Sequence, residues 1–383
     1  STCAMVSSML QLAGYRVGMF ISPHLHSYTE RMRIDGKDIP RETIARLLTR
    51  MRPLLEKMVQ EGYEHPTEFE VNTALALQYF FEEKVDFAIL EVGLGGAIDS
   101  TNVVNPLVAV ITNVGMDHME YLGNTLEEIT RIKGGIIKPG SLVVTASSLP
   151  WVLQVLEDIS RQQKARLIKV GEEIRPTLLT SSLQGITFDV QGPGWHYNKL
   201  AVPLIGEHQV QNGATAVTVI ECLKEQGYSI PEEAVRQGLG QVVWPARLEV
   251  LAENPIVLVD IAHNVDGAVT LRQSLEKIFH YRRLILVVGM LADKERKKFM
   301  DILAPLANIL IITKPNSPRA EGWEELATMA GNHVARIEVY ENSQEAVRRG
   351  LELAQKEDLL CITGSLYLVA DAREMLLKNN NVE

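Results

Sequence analysis

Residues 1–25, STCAMVSSMLQLAGYRVGMFISPHL, read as a helix running into a buried strand. Met5, Val6, Met9, Leu10 and Leu12 put apolar side chains on roughly one face of a helix over 2–13, and Gly14 stops it. Val17–Ile21 is then a short unbroken apolar run. A helix that feeds a buried strand belongs in the middle of a β-α-β series. The stretch therefore predicts an α/β fold and raises the question of which strand and loop launch the first helix.

The rest of the chain extends the pattern. DFAILEVG (86–93), PLVAVITNV (106–114) and SLVVTAS (141–147) are apolar without polar alternation, the mark of parallel strands covered on both faces. Helical segments are predicted at 41–60, 67–83 and 125–137. Over 164–204 shorter, more polar strands with Gly-Pro punctuation (FDVQGPGWHYNKLAVPL) predict an antiparallel subdomain. Helices follow at 209–227 and 231–239. After WPARLE the β/α alternation restarts with PIVLVDIA (255–262), RRLILVVGM (282–290), NILIITK (308–314) and DLLCITG (358–364), each followed by a helix. The restart near Trp244-Pro245 marks a boundary, and the prediction is two doubly wound α/β domains.

Composition narrows the class. A chain of 383 residues is long for one core and suits two domains. Its hydrophobic fraction of 46% is that of a globular protein, and its formal charge of −10 argues against nucleic acid as a partner. No apolar run reaches the roughly 18 residues that span a bilayer, so no membrane role is expected. Cys3, Cys222 and Cys361 are far apart and form no CxxC pair, which fits the reducing cytoplasm and small buried thiols.

Ligands of such sheets bind beyond the carboxyl ends of the strands. There the first domain offers Ser22-Pro23-His24, then Glu91 with the Gly93–Gly96 turn, then Asn113, Asp117 and His118. A carboxylate, an imidazole and a hydroxyl at one sheet edge could hold Mg²⁺, although Asp and Asn also follow strands simply as turn formers. The second domain offers Asp260, His263 and Asn264, then Asp293 and Lys294, with Arg247 near the boundary. Each alone could be a cap or a solvated charge. Together they suit an anionic ligand held between lobes.

The ordered segments SPHL, TEFE, EVGLGG, ITNVGMDH, IKGGIIKPG, GEHQVQN, WPARLE, VDIAHN, LADKE and TGSLYLV run from residue 1 to about 370. In that order the set resembles the folylpolyglutamate synthase/dihydrofolate synthase family, Mur-ligase-like enzymes that form amide bonds at the expense of ATP. The resemblance implies an N-terminal P-loop-type doubly wound sheet domain over 1–243 and a smaller C-terminal Rossmann-like α/β domain, the glutamate-ligase domain, over 244–383. It also answers the opening question. In the family the first strand ends in a phosphate loop, TGTNGKGS/T, and Ser1-Thr2 matches the end of that loop. The chain is thus expected to start just after it, and this polypeptide alone is expected to be a poor catalyst. A glycine-rich loop at a helix N-terminus offers N–H groups to phosphate, while Ser1 also suits an N-cap.

Carried residue by residue, the resemblance implies Mg²⁺ ligation by Ser22, Glu91 and His118. Lys133 matches a lysine carbamylated in many relatives, which makes it a further metal ligand. Glu91, His118 and Lys133 are accordingly the expected catalytic residues. The family usually has EKAG where this chain has Ile132-Lys133-Gly134-Gly135. Thr67, Glu68, Phe69 and Glu70, with Ile98, Asp99 and Ser100, match pteroate-contacting segments, and relatives carry Arg where this chain has Ala97. Ser1, Asn212, Arg247, Asp260 and His263 match residues that hold ATP.

The implied reaction joins L-glutamate to a folate or to dihydropteroate through an acyl phosphate. Mg²⁺ and K⁺ are the implied ions, ATP is a substrate, and a cytoplasmic monomer is the expected form. The alternatives are a monofunctional dihydrofolate synthase, or a non-catalytic nucleotide- or folate-binding protein if the phosphate loop is truly absent.

Overall fold

The run Leu284–Val288 is buried at every position, as are Ile309–Thr313 and Leu359–Thr363. Strands of this kind form the interior of a parallel sheet covered on both faces, and that is the architecture found. The computed structural model describes residues 1–117 and 119–380. They divide into two compact units, one of residues 1–179, 187–202 and 210–242, the other of 180–186, 203–209 and 243–383.

The first unit begins with α1 (Thr2–Leu12), β1 (Val17–Phe20), β2 (Met32–Ile34), β3 (Lys37–Asp38), α2 (Arg41–Gln60), α3 (Glu68–Glu82) and β4 (Phe87–Leu90). These strands form a sheet of order β3-β2-β1-β4, with β1 parallel to β4 and Phe20 opposite Leu90. The antiparallel strands β2 and β3 were not foreseen. Asp35-Gly36, both at positive φ, form their two-residue turn, and Asp-Gly is a strong hairpin signal. Phe20, Met32, Ile39, Leu47, Leu75 and Phe80 fill the core beside this sheet.

Next come β5 (Val108–Ile111), α4 (Met119–Leu122), α5 (Leu126–Gly134), β6 (Leu142–Thr145), α6 (Pro150–Gln162) and β7 (Arg166–Lys169). The strands β5, β6 and β7 are parallel and form a sheet of their own. The doubly wound sheet expected for this domain is therefore present as two hydrogen-bonded pieces. The strands β8 (Arg175–Ser182), β9 (Gly185–Gly192) and β10 (Trp195–Val202) make a third sheet. Their two-residue connections can only join antiparallel neighbours, as the punctuation over 164–204 predicted. The helices α7 (His208–Glu225) and α8 (Glu232–Gly240) follow.

The second unit contains β11 (Glu249–Glu253), β12 (Ile256–Val259), α9 (Val265–Lys277), β13 (Leu284–Val288), α10 (Arg296–Leu303), β14 (Ile309–Thr313) and α11 (Glu325–Met329). It ends with β15 (Ile337–Tyr340), α12 (Ser343–Leu353), β16 (Leu359–Thr363) and α13 (Leu366–Asn380). The sheet order is β11-β12-β16-β13-β14-β15, with β11 antiparallel at one edge and the rest parallel. The edge strand β15, IEVY, escaped the sequence reading because only its inward face needs to be apolar. Leu258, Leu271, Leu286, Phe299, Leu310 and Cys361 lie in its core.

Candidate active site

In the first unit the candidate residues converge on the loop that leaves β4. The parallel strands β1 and β4 end side by side, which brings Ser22 and Glu91 together, and the Glu91 carboxylate accepts the Ser22 backbone N–H at 3.2 Å. The loop then turns back onto α5. Ala97 N–H donates to the Ile132 carbonyl at 2.8 Å, and a Cβ on Gly96 would lie 2.7 Å from the Ile132 and Lys133 carbonyl oxygens. The loop after Glu91 is thus locked to the helical turn that carries Lys133. Burial lowers the pKa of the Lys133 ammonium, and the charge of Asp117 opposes that shift. His118 lies outside the described residues.

The same loop sits on Phe69. A Cβ on Gly93 would stand 2.4 Å from the Phe69 ring, so a glycine there permits a contact that a side chain would forbid. Phe69 in turn stacks on Phe20, with centroids 5.7 Å apart. Of its neighbours, Thr67 and Glu70 form a capping box. The Glu70 carboxylate accepts the Thr67 N–H at 2.7 Å, and the Thr67 hydroxyl accepts the Glu70 N–H at 3.3 Å. Asp99 is buried and accepts the Leu94 N–H, the Thr101 N–H and the Thr101 hydroxyl, so it shapes the loop. The Ser100 hydroxyl pairs with that of Thr73 at 2.6 Å. Glu68 and Ile98 remain exposed, and Phe69 half-buried, with surface to offer a ligand.

Glu68 also has partners that the sequence did not suggest. It accepts a hydrogen bond from the Tyr28 hydroxyl at 3.1 Å and faces Arg31 at 3.6 Å. The Arg31 Nε donates to His24 Nδ1 at 3.0 Å and its guanidinium lies over the Tyr28 ring. Tyr28 and Arg31 fall in a 3₁₀ turn with no periodicity to read, although Ser27 and Glu30 spell a capping box.

The ATP candidates divide between the units. Ser1 occupies the N-cap position of α1 without a side-chain capping hydrogen bond, and the Thr2 hydroxyl donates to Asn212 Oδ1 at 3.4 Å, so Asn212 lies beside the start of α1. In the second unit Asp260 follows β12 and accepts the Leu248 and Ala262 N–H groups, both at 2.9 Å. Burial raises its pKa, against those two hydrogen bonds and the charge of Arg247. His263 Nδ1 lies 2.9 Å from the Ile261 carbonyl. A carbonyl only accepts, so Nδ1 carries the proton of that hydrogen bond.

A Mur ligase middle-domain model matches residues 36–220, and a Mur ligase glutamate-ligase-domain model matches 246–366. The chain is 37% identical to the dihydrofolate synthase/folylpolyglutamate synthase of Bacillus subtilis, covering 98% of this chain and 87% of that protein. The chain belongs to the folylpolyglutamate synthase/dihydrofolate synthase family. The folylpolyglutamate synthase of Lacticaseibacillus casei is 32% identical over 97% of this chain and 86% of its own length. Among solved structures, Mycobacterium tuberculosis folylpolyglutamate synthase complexed with ADP superposes with a TM-score of 0.90 at 32% identity, covering 98% of this chain and 87% of that one.

For a folylpolyglutamate synthase family member, the donor set at β1 and β4 suits Mg²⁺. The Ser22 hydroxyl and the Glu91 carboxylate are hard oxygen donors on adjacent strand ends. Among the described residues no group of three or more His, Cys, Asp and Glu is placed to hold a metal. Cys3 offers a soft thiol and not a hard oxygen donor. Burial, reinforced by the charge of Glu91, pushes its thiol up to about 12.

Proposed function

We propose that this ATP-dependent ligase adds L-glutamate to folates and to dihydropteroate through an acyl phosphate. What supports the reading most is the junction of Ser22, Glu91 and the Lys133-bearing helix through one loop, in a chain whose whole length matches the family. In the reaction a substrate carboxylate attacks the γ-phosphorus of ATP and ADP leaves. The glutamate amine then attacks the acyl carbon, and phosphate leaves with the C–O bond electrons.

The chain's own groups have distinct tasks in this scheme. Ser22 and Glu91 would hold Mg²⁺, which supplies positive charge to the transferring phosphoryl group when bound. Lys133 would be carbamylated: its neutral amine adds to CO₂ and releases a proton, leaving an anionic carbamate. Burial favours the neutral amine that this addition needs. Phe69, Glu68 and Ile98 would receive the pteroate ring, whose flat face suits the aromatic and whose N–H donors suit the carboxylate. Arg247, Asp260 and His263, with Ser1 and Asn212, would bind the nucleotide, Arg247 as the permanent cation for phosphate.

We further assign residues 1–243 to nucleotide and pteroate chemistry and 244–383 to the glutamate-ligase domain, in a cytoplasmic monomer. Cys3, Cys222 and Cys361 are free thiols, which suits a reducing compartment. Light scattering on a sizing column tests the monomer.

The deciding experiment follows phosphate release from ATP by the full-length protein with glutamate, adding dihydropteroate in one reaction and tetrahydrofolate in another. Release in both is expected. Release with one acceptor alone restricts the enzyme to that step, and release in neither overturns the ligase reading.

A further inference from the structure

Arg247 sits between two non-glycine residues in the left-handed region, Ala246 at φ +60° and Leu248 at φ +46°. L-residues avoid this region because Cβ crowds the following carbonyl oxygen. A turn with two such residues persists only where its surroundings over-determine it. Here four ties do so. The Ala246 N–H donates to Glu249 Oε2 at 2.7 Å, and the Ala246 carbonyl accepts the Ile261 N–H at 3.2 Å. The Leu248 N–H donates to Asp260 Oδ2, and the Leu248 side chain is buried in the core of this unit. The one side chain of the turn left partly exposed is that of Arg247.

Two of these ties come from the end of β12, from Asp260, already assigned to the nucleotide, and from its neighbour Ile261. The Glu249 tie has a different origin. Arg373, on α13, grips Glu249 with a two-pronged ion pair, Nε to Oε2 at 2.8 Å and Nη2 to Oε1 at 2.9 Å. Both side chains are mostly shielded from solvent. The planar fork fixes the plane of the carboxylate as well as its charge. The same Oε2 atom takes a hydrogen bond from Arg373 and one from Ala246, so the orientation set from α13 passes to the backbone beside Arg247.

We infer that Glu249 and Arg373 are positioning residues for Arg247, holding its strained turn so that the guanidinium is presented in one orientation to an anionic ligand. This rests on the reading of Arg247 as a contact to nucleotide phosphate. Neither residue needs to touch ATP.

The test is steady-state kinetics of the full-length protein with ATP varied, alongside thermal melting. Arg247→Ala should raise the KM for ATP at least tenfold. Glu249→Leu should raise it several-fold to tenfold, with kcat reduced far less and the melting midpoint within a few degrees of the parent. Glu249→Gln, which keeps an acceptor for Ala246, should recover much of the loss, whereas Arg373→Lys, which keeps the charge but not the planar fork, should recover less. In the Arg247→Ala background Glu249→Leu should add nothing to the ATP defect, because it acts through the missing side chain. An unchanged ATP KM in Glu249→Leu, or a defect that multiplies with Arg247→Ala, overturns the inference. Should Glu249→Leu fail to fold, Arg373→Met is read by the same criteria. An Arg247→Ala enzyme with parental ATP kinetics would instead bring down the nucleotide reading of Arg247.

Discussion

Glu91 accepts the backbone N–H of Ser22, 69 residues away in the chain, at 3.2 Å, joining the ends of two parallel strands. Its carboxylate therefore both orders the loop after β1 and supplies negative charge at the sheet edge. These roles separate in Glu91→Gln, whose amide oxygen can still accept the N–H. The expected result is a fall in kcat of about 10²–10³-fold, the scale of losing one preorganised electrostatic group. Stability should change by less than about 1 kcal/mol. Turnover and urea midpoints of the same preparation check it.

Lys133, half-buried on the last turn of α5, has its pKa lowered by desolvation. Carbamate formation should therefore raise activity when bicarbonate is added to degassed buffer, and ¹³C-bicarbonate should give a carbamate resonance that Lys133→Ala lacks. That variant should lose at least about 10²-fold in kcat, the lower range for a catalytic proton- or charge-handling group. Parental turnover in Lys133→Ala would remove the lysine from the mechanism.

Gly93→Ala places a methyl group 2.4 Å from the Phe69 ring. Phe69 is held against Phe20 and cannot retreat freely, so the loop has to shift. Overpacking of this kind costs about 1–3 kcal/mol. Because Phe69 is the proposed ring contact, the KM for the folate acceptor should rise more than that for ATP. An equal effect on both would argue against Phe69 as part of the acceptor site.

His208 gives a pH signature. Burial, then the positive charge of the Ser1 amine and that of Arg247, lowers its pKa from 6.5 to about 4, and its Nδ1 has no hydrogen-bond partner among the described residues. The unfolded chain takes up a proton near pH 6.5 while the folded one stays neutral until about pH 4. Stability is thus lost as the pH falls through this window and is fully present above it. The limit is roughly 3 kcal/mol at 1.36 kcal/mol per pH unit. His208→Gln should flatten the loss between pH 7 and pH 5 in melting curves. An identical slope in parent and variant would count against it.

How much of this was legible beforehand differs from element to element. The helix over Arg41–Gln60 fell where the pattern put it, and α3 and α5 start directly after the caps Thr67 and Thr125, because capping boxes and apolar spacing are local signals. The central strands were plain from their unbroken apolar runs. The β2–β3 hairpin was missed although Asp35-Gly36 announces it, since its strands are too short to show a period. Of the pteroate candidates, Thr67, Glu70 and Asp99 turn out to be engaged in caps and turns, a distinction that residue type alone does not make.

By itself the sequence determined the α/β class, the order of the elements and which residues would stand at the ends of strands. All of these follow from interactions between residues a few positions apart. Only the tertiary structure decided which strand ends are neighbours, that Gly93 lies against Phe69, that burial depresses Lys133, and that Arg373 reaches Glu249 across 124 positions of chain. The physical reason is that burial and close contact are properties of the packed chain. A backbone held left-handed on both sides of Arg247 is paid for by partners that no local pattern encodes.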